Sequence, residues 1–434
     1  MIILGIETSC DETALSLIES ADGQEVKVLA DQTLSQIELH QQYGGVFPNL
    51  AKRAHSRNLI PLFKTVLAEA GILKPAPKQH SDFLKNVRML LEREKELERD
   101  FAEFIPTIER PRIDAIAVTA GPGLEPCLWT GINFAKALSL VWDIPVVPVN
   151  HMEGHVFSAL LKAEKTADGR GLNADKRGGR KDVETFNFGL LTLNLPAIAL
   201  LISGGHTELV LIKRPFDYEI IGQTRDDAVG EAFDKVARLL GLPYPGGPPL
   251  SALAEQARKL KVKSQKLKVG EVSLPRPMLH SGDFDFSFSG LKTAVLYLVR
   301  DRQREISAAP RSEPSRRGST TGESPRLQSL IAREFEDAVT EVLIAKTKKA
   351  LEQYGARALL IGGGVIANTH IRRNFEALGK ELGISVYIPE KNLTTDNALM
   401  IAVAGLARLL SKDDSTKGQN REIAARGGWR LDEK

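Results

Sequence analysis

MIILGIETSCDETALSLIE (Met1–Glu19) decides the fold. An apolar run, a small polar turn and a second run of alternating apolar residues read as a strand hairpin. The pattern returns in LPAIALLISGGHTELVLIK (Leu195–Lys213), with Ser203-Gly204-Gly205-His206-Thr207 at the turn. Two further stretches also come in pairs. AIAVTAGPGLEPCLWTG (Ala115–Gly131) and ALLIGGGVIANTHIRRNFEAL (Ala358–Leu378) each read as strand, glycine turn and helix. IPVVPVN (Ile144–Asn150) reads as a buried strand leading into His151 and His155, while ISVYIPEKNLTTDNALMIAVAGLARLL (Ile384–Leu410) is a strand, a loop holding Asp396 and a helix. Three matched elements in one order predict a duplicated α/β fold with a cleft between its halves. A single large α/β domain in which such units recur is the alternative.

The 434 residues suggest two to three domains at roughly 150 residues each, and a hydrophobic content of 42% is ample for real cores. A net charge of +3 excludes a polycation, so any nucleic-acid contact must come from local patches. Two cysteines, Cys10 and Cys127, exclude a disulfide scaffold and fit a reducing compartment. The N-terminus has no basic lead-in and turns acidic early, unlike a signal peptide. No apolar stretch approaches the roughly 20 residues that span a bilayer. The expectation is a soluble cytoplasmic protein.

The expected boundaries are an N-terminal lobe over 1–149 and a C-terminal lobe over 150–404, with the segment from about 405 to 434 packing back on the first. Three stretches look added to this plan. Residues 74–112 carry Phe83, Val87, Leu90, Leu97, Phe101 and Phe104 at spacings of three and four, which predicts an amphipathic helix packed on its own domain or one arm of a projecting hairpin. Residues 162–182, rich in Gly, Lys, Arg and Asp, and the low-complexity stretch within 302–325 read as loops. Both are net basic and could touch phosphates, although solvated linkers usually carry such charges.

The chemistry-bearing segment is His151-Met152-Glu153-Gly154-His155. Val156–Lys162 has helical composition, and with a helix beginning near His151, residues four apart share a face. Both imidazoles then point the same way, which suits zinc or iron; a pair of surface or capping histidines is the plainer reading. Glu153 faces away from both rings, so this is not the zinc-protease motif. Asp396, matching His151 in the second half, would supply a third, oxygen ligand and leave coordination positions open; Thr394, Thr395 and Asp396 are equally plausible helix caps. Small-residue loops at Thr8-Ser9, Gly121-Pro122-Gly123, Ser203-Gly204-Gly205 and Gly362-Gly363-Gly364 let a nucleotide approach the backbone, or are tight turns only. None has P-loop or dinucleotide-fold spacing.

Taken together, GIETSCDET (Gly5–Thr13), YGGVFPNLAKRAH (Tyr43–His55), TAGPGL (Thr119–Leu124), VNHMEGH (Val149–His155), SGGHTELV (Ser203–Val210), DDAVGEAFDKVARLLGLPYPGGP (Asp226–Pro248), DFSFSGLKT (Asp285–Thr293), GGGVIAN (Gly362–Asn368) and TDNALMIA (Thr395–Ala402) resemble the bacterial TsaD branch of the universal tRNA threonylcarbamoyladenosine transferases, once labelled O-sialoglycoprotein endopeptidases. The resemblance runs in order over nearly the whole chain outside the three additions. It implies an actin-like, sugar-kinase-like (ASKHA) duplicated two-lobe fold. It implies transfer of the threonylcarbamoyl group from threonylcarbamoyl-AMP to the exocyclic amine of the adenosine beside the anticodon in ANN-decoding tRNAs, with loss of AMP. It implies one divalent metal, ferrous iron favoured and zinc the alternative, on His151, His155 and Asp396, and nucleotide contacts at Leu201, Ile202, Ser203, Gly204, Gly205, Asp234, Gly247 and Asn368. The implied partners are tRNA, a TsaB-like paralogue and a TsaE-like ATPase.

These positions make chemical sense. Asp234, on the first turns of a helix, can accept ribose hydroxyls, or else it serves the helix dipole. Gly247 lies in a turn that can lie flat against a base, and Asn368 either bonds the nucleotide or caps a helix. Asp11 and Glu12 occupy the first hairpin turn, and Glu12 is the better candidate to take the proton from the attacking amine. Some residues depart from the family pattern: Asn49 and Ala54 stand where the family carries acidic residues, and Glu125–Trp129 replaces a small apolar run on the surface that docks the paralogue in bacterial relatives. Competing readings are a small-molecule kinase of the same fold, which would not need the two histidines, and a non-catalytic scaffold, which would lack them.

Overall fold

The computed structural model describes residues 1–77, 83–163, 184–263, 272–308, 320–411 and 423–433. Most of the expected loop over 162–182, and 309–319 of the one over 302–325, lie outside the described residues. The chain forms two compact units, Met1–Leu193 with Pro389–Lys434, and Asn194–Ile388. Among the described residues no helix is long and apolar enough to cross a membrane.

In the first unit, β1 (Ile2–Glu7), β2 (Glu12–Glu19), β3 (Glu25–Ser35), β4 (Ala115–Gly121), β5 (Val146–Asn150), β6 (Leu161–Ala163) and β7 (Glu184–Phe188) make one sheet in the order β5-β4-β1-β2-β3-β7-β6. β1 and β4 are buried throughout, as strands covered on both faces must be. Side chains alternate across the sheet. Ile2, Leu4 and Ile6 join a core with α2 (Pro48–Glu69), α3 (Phe83–Leu90), α4 (Lys95–Phe104) and α5 (Glu125–Trp142). On the opposite face Gly5 lies under α12 (Ala398–Leu410), and a Cβ there would stand 2.3 Å from the Ala398 carbonyl oxygen. Only glycine at that point lets the helix rest on the strand.

In the second unit, β8 (Ala197–Ile202), β9 (Thr207–Arg214), β10 (Asp217–Gln223), β11 (Ala358–Gly362) and β12 (Ser385–Tyr387) are ordered β10-β9-β8-β11-β12. β8 pairs antiparallel with β9 and parallel with β11, as β1 does with β2 and β4. The order β3-β2-β1-β4-β5 thus recurs as β10-β9-β8-β11-β12. This is the duplicated α/β architecture expected from the paired hairpins. Its core is closed by α7 (Val229–Leu239), α8 (Gly247–Lys263), α9 (Ser289–Ala308), α10 (Thr320–Tyr354) and α11 (Thr369–Leu382).

Three expectations are corrected. The unit boundaries fall at 193/194 and 388/389, not at 149/150 and 404/405. α6 (His151–Ser158) follows β5 directly and stays with its sheet, β6 and β7 extend that sheet, and the chain returns to it early enough for all of α12 to pack on β1. The helical reading of Val156–Lys162 holds only to Ser158, because Leu161–Ala163 pairs with β7. The single amphipathic helix expected within 74–112 is two, α3 and α4; Val87, Leu97 and Phe101 are fully buried in the unit's own core, which excludes a projecting arm there.

Candidate metal centre

Asn150, the last residue of β5, caps α6 by accepting from the backbone N–H groups of Met152 (2.9 Å) and Glu153 (3.4 Å). The helix therefore starts at His151, and one turn later His155 lies beside it, ring centroids 4.8 Å apart and nearly perpendicular. Asp396 arrives from the loop before α12. It is not that helix's cap: Asn397 accepts from Met400 N–H at 2.9 Å, which leaves the Asp396 carboxylate for other work. Asp396 Oδ1 lies 3.3 Å from His151 Nε2 and 3.2 Å from His155 Nε2. The three ligand atoms fall within 4.8 Å of one another, and all three residues belong to the first unit.

His155 tests the fit. It is fully buried; among the described residues its Nδ1 has no polar partner, and its Nε2 has only the Asp396 oxygen at 3.2 Å, without hydrogen-bond geometry. A buried imidazole partnered so poorly is unfavourable unless something else takes a lone pair. A divalent ion among two ring nitrogens and a carboxylate oxygen would take it, and this donor set suits iron or zinc. The rings keep 7% and 0% of their side-chain surface while Asp396 keeps 23%, so the open side of the cluster is the carboxylate side.

Glu7, at the end of the apolar strand β1, is fully buried and accepts from Thr119 Oγ1 at 2.6 Å and from the Ser9 backbone N–H. Its other contact is His151 Nδ1 at 3.0 Å, which leaves Nε2 facing Asp396. Burial opposes charge on His151, but the Asp396 and Glu7 carboxylates raise its pKa well above the ordinary value. Burial also works against both carboxylates, yet the His151 charge holds Asp396 well below, and Glu7 below, the usual range. One positive ring between two negative groups is the charge pattern that a bound dication satisfies. Half-buried Glu12 opens β2, and its carboxyl is pushed up to about 10 by burial and then by the charges of Asp396 and Asp11.

Glu153 faces away from the rings, as expected, and pairs with Arg408 of α12 at 2.5 Å. Sequence reading missed Glu7, Asn150 and Arg408. A carboxylate inside the apolar run IILGIE was a usable signal, and so was an amide just before the histidine helix. Nothing local pairs Glu153 with a residue 255 positions away.

The expected nucleotide residues gather in the second unit. Leu201 pairs with Gly362 across β8 and β11, and the Ser203 carbonyl accepts from Gly230 N–H at 3.2 Å, at the start of α7. Gly363 turns with φ +97°, and a Cβ there would stand 2.3 Å from the Ile202 carbonyl oxygen. Leu201 and Ile202 thus lie beside Gly362 and Gly363, while Ser203 and Gly204 lie against the start of α7 and Gly205 follows in the same turn. One turn along α7, Asp234 Oδ1 accepts from Gly246 N–H at 2.7 Å and fixes the turn before Gly247. Asn368 caps α11 through its oxygen and donates from Nδ2 to the buried Glu336 carboxylate at 2.5 Å. Its capping role is therefore the one realised within the unit.

The sequence profile described as TsaD, tRNA N6-adenosine threonylcarbamoyltransferase, matches residues 27–76, 106–171 and 185–403. Among curated proteins, the tRNA N6-adenosine threonylcarbamoyltransferase of Ralstonia pickettii is 39% identical over 94% of this chain and 92% of its own length. Those of Aromatoleum aromaticum and Burkholderia thailandensis are each 40% identical over 94% of this chain, covering 91% and 92% of their own lengths. The profile match carries with it the ASKHA-type fold and a tRNA-modifying transferase activity, and leaves the kinase and scaffold readings without support. The chain belongs to the TsaD family of tRNA N6-adenosine threonylcarbamoyltransferases.

Proposed function

We propose that this transferase works with one divalent metal on His151, His155 and Asp396, ferrous iron favoured and zinc the alternative, and that its donor is threonylcarbamoyl-AMP. The observation that carries this is His155: fully buried, with no polar partner for Nδ1 among the described residues and only the Asp396 oxygen, at 3.2 Å, before Nε2. When bound, the ion supplies Lewis-acid polarisation of a phosphate or carbonyl oxygen of the donor. Glu7 fixes the orientation of the His151 ring, and Asn150 fixes the helix that carries both rings.

The exocyclic amine of the adenosine adjacent to the anticodon in an ANN-decoding tRNA attacks the carbamoyl carbon. The bond from that carbon to the phosphate oxygen breaks, and AMP leaves with the electron pair. The amine's proton goes to the ionised Glu12 carboxylate, on the residue that opens β2. Burial first, then the Asp396 and Asp11 charges, push the Glu12 carboxyl up to about 10, so the ionised form that accepts the proton is the minor one at neutral pH. The loop Leu201–Gly205 with Asp234, Gly247 and Asn368 receives the nucleotide part of the donor, and Glu336 positions Asn368. A TsaB-like paralogue and a TsaE-like ATPase are the proposed protein partners, and the cytoplasm the proposed compartment.

The test is reconstitution with purified protein, the two partners, the adenylate donor and an ANN-decoding tRNA, followed by nucleoside analysis. Modified adenosine that disappears on chelation and returns with ferrous iron or zinc supports the reading. Full activity in the chelated protein, or in His155→Ala, refutes the metal. Absence of product with every component present refutes the donor.

A further inference from the structure

Tyr43 and Phe47 flank the turn between α1 (Ile37–Gln41) and α2, with 55% and 52% of their surface open to solvent. Their ring centroids are 5.8 Å apart and the planes are tilted by 39°. Among the described residues no other two exposed aromatic rings adjoin. Large rings in a glycine-containing loop ordinarily turn inward to bury area. Here the space beneath the loop is filled by a polar chain instead.

The Phe47 backbone N–H donates to His40 Nδ1 at 3.3 Å, and His40 Nε2 meets Gln36 Oε1 at 3.3 Å. The Gln36 amide reaches His55 Nδ1 at 3.3 Å, where Thr13 Oγ1 also bonds at 2.8 Å, and His55 Nε2 reaches the Cys10 carbonyl at 3.0 Å. The Gln36 backbone N–H donates to the Asp11 carbonyl at 2.9 Å. Gln36, His40, His55 and Thr13 are all buried. One tautomer, with the proton on Nε2, satisfies both histidines along the whole chain of bonds. The aromatic loop is therefore fixed in register with the Cys10–Glu12 turn, with about half of each aromatic residue's surface open to water.

Charge selects the kind of occupant. From Pro48 to Ala68, α2 carries no carboxylate of its own, and its positive N-terminal end adjoins Phe47; of the basic residues in its first turns, Lys52 pairs with Glu94 at 3.1 Å and Arg57 with Glu96 at 2.8 Å, while exposed Arg53 has no ion pair among the described residues. Arg53 and the positive helix end together suit a phosphate-bearing partner better than an acidic one. The reaction imposes a further demand. An adenine amine is reached only when the base leaves its stack, so flanking bases lose a stacking neighbour and need another flat surface.

We propose that Tyr43 and Phe47 are a stacking platform for the unpaired bases that flank the target adenosine in the substrate RNA, held in register with the Cys10–Glu12 turn by His40, Gln36 and His55. This rests on the tRNA-substrate reading above. The test uses the full chain and an anticodon stem-loop RNA carrying 2-aminopurine next to the target adenosine, with affinity read from its fluorescence. Tyr43→Ala and Phe47→Ala each weaken binding roughly tenfold or more. The melting temperature and the KM for donor stay at wild-type values, because both rings are already exposed. Paired aromatic replacements, Tyr43→Trp with Phe47→Tyr, retain binding, whereas Tyr43→Leu with Phe47→Leu behaves like alanine. Wild-type RNA affinity in the leucine pair overturns the platform. So does intact RNA affinity combined with lost association with the paralogous partner, which makes the patch a protein-docking surface. Failure of the wild-type chain to bind the RNA sinks the substrate reading and the platform together, a result distinct from failure of the variants alone.

Discussion

The link between the two helices of the metal centre gives the sharpest test. Glu153 on α6 is fully buried, while its partner Arg408 on α12 keeps 23% of its side-chain surface. The pair ties the helix carrying His151 and His155 to the helix that Asp396 precedes. Its two members are not equivalent. Arg408→Met preserves the apolar stem and leaves a buried carboxylate without its guanidinium, which costs about 3–5 kcal/mol. Glu153→Gln leaves an arginine whose head can turn to water, at about 1–2 kcal/mol. The double variant replaces the pair with neutral groups and recovers most of the loss. For a unit of this size, 1 kcal/mol shifts the melting temperature by about 2–4 °C, so Arg408→Met falls roughly 6–20 °C and Glu153→Gln roughly 2–8 °C. Denaturant unfolding of the four proteins gives the coupling energy directly. Metal titration runs alongside, and Arg408→Met loses more affinity than Glu153→Gln. Equal destabilisation by the two single changes, or a double variant equal to their sum, refutes the reasoning.

Other outcomes follow from the same geometry. Glu7→Gln keeps a hydrogen bond to His151 but removes the charge that orients the ring, and it lowers metal affinity about 10–100-fold with the fold retained, measured by competition with a chelator. His155→Leu removes one ring nitrogen donor and the 3.2 Å contact to the Asp396 carboxylate; it abolishes metal binding with the fold retained, measured by chelator competition alongside thermal unfolding. Burial pushes the His55 pKa down from 6.5 to about 4, so the folded chain holds it neutral while the unfolded chain takes up a proton below 6.5. Stability attributable to His55 is therefore complete above pH 6.5 and falls by about 3 kcal/mol as pH drops from 6.5 to 4. His55→Gln flattens that part of the profile, and an unchanged slope refutes the assignment.

Much of this was legible in the chain itself. The strand-turn-strand pattern at Met1–Glu19 and Leu195–Lys213 specified two copies of one sheet order, because apolar runs bounded by small turns have few other folds open to them. The spacing of His151 and His155 set both rings on one face, since helical geometry is local and periodic. The Asn150 cap lies within three residues of the amides it satisfies, and such short-range chemistry leaves a trace in sequence.

What the sequence left open was which sheet receives the last helix. Read along the chain, Asp396 belongs to the second repeat, since it follows β12 as His151 follows β5. The folded chain instead returns α12 to the first unit, where Gly5 leaves room for the Ala398 carbonyl and the Glu153–Arg408 pair fastens it to α6. That choice alone brings the carboxylate to the two rings. Contacts between residues hundreds of positions apart depend on how well two surfaces pack, and no local pattern encodes that fit.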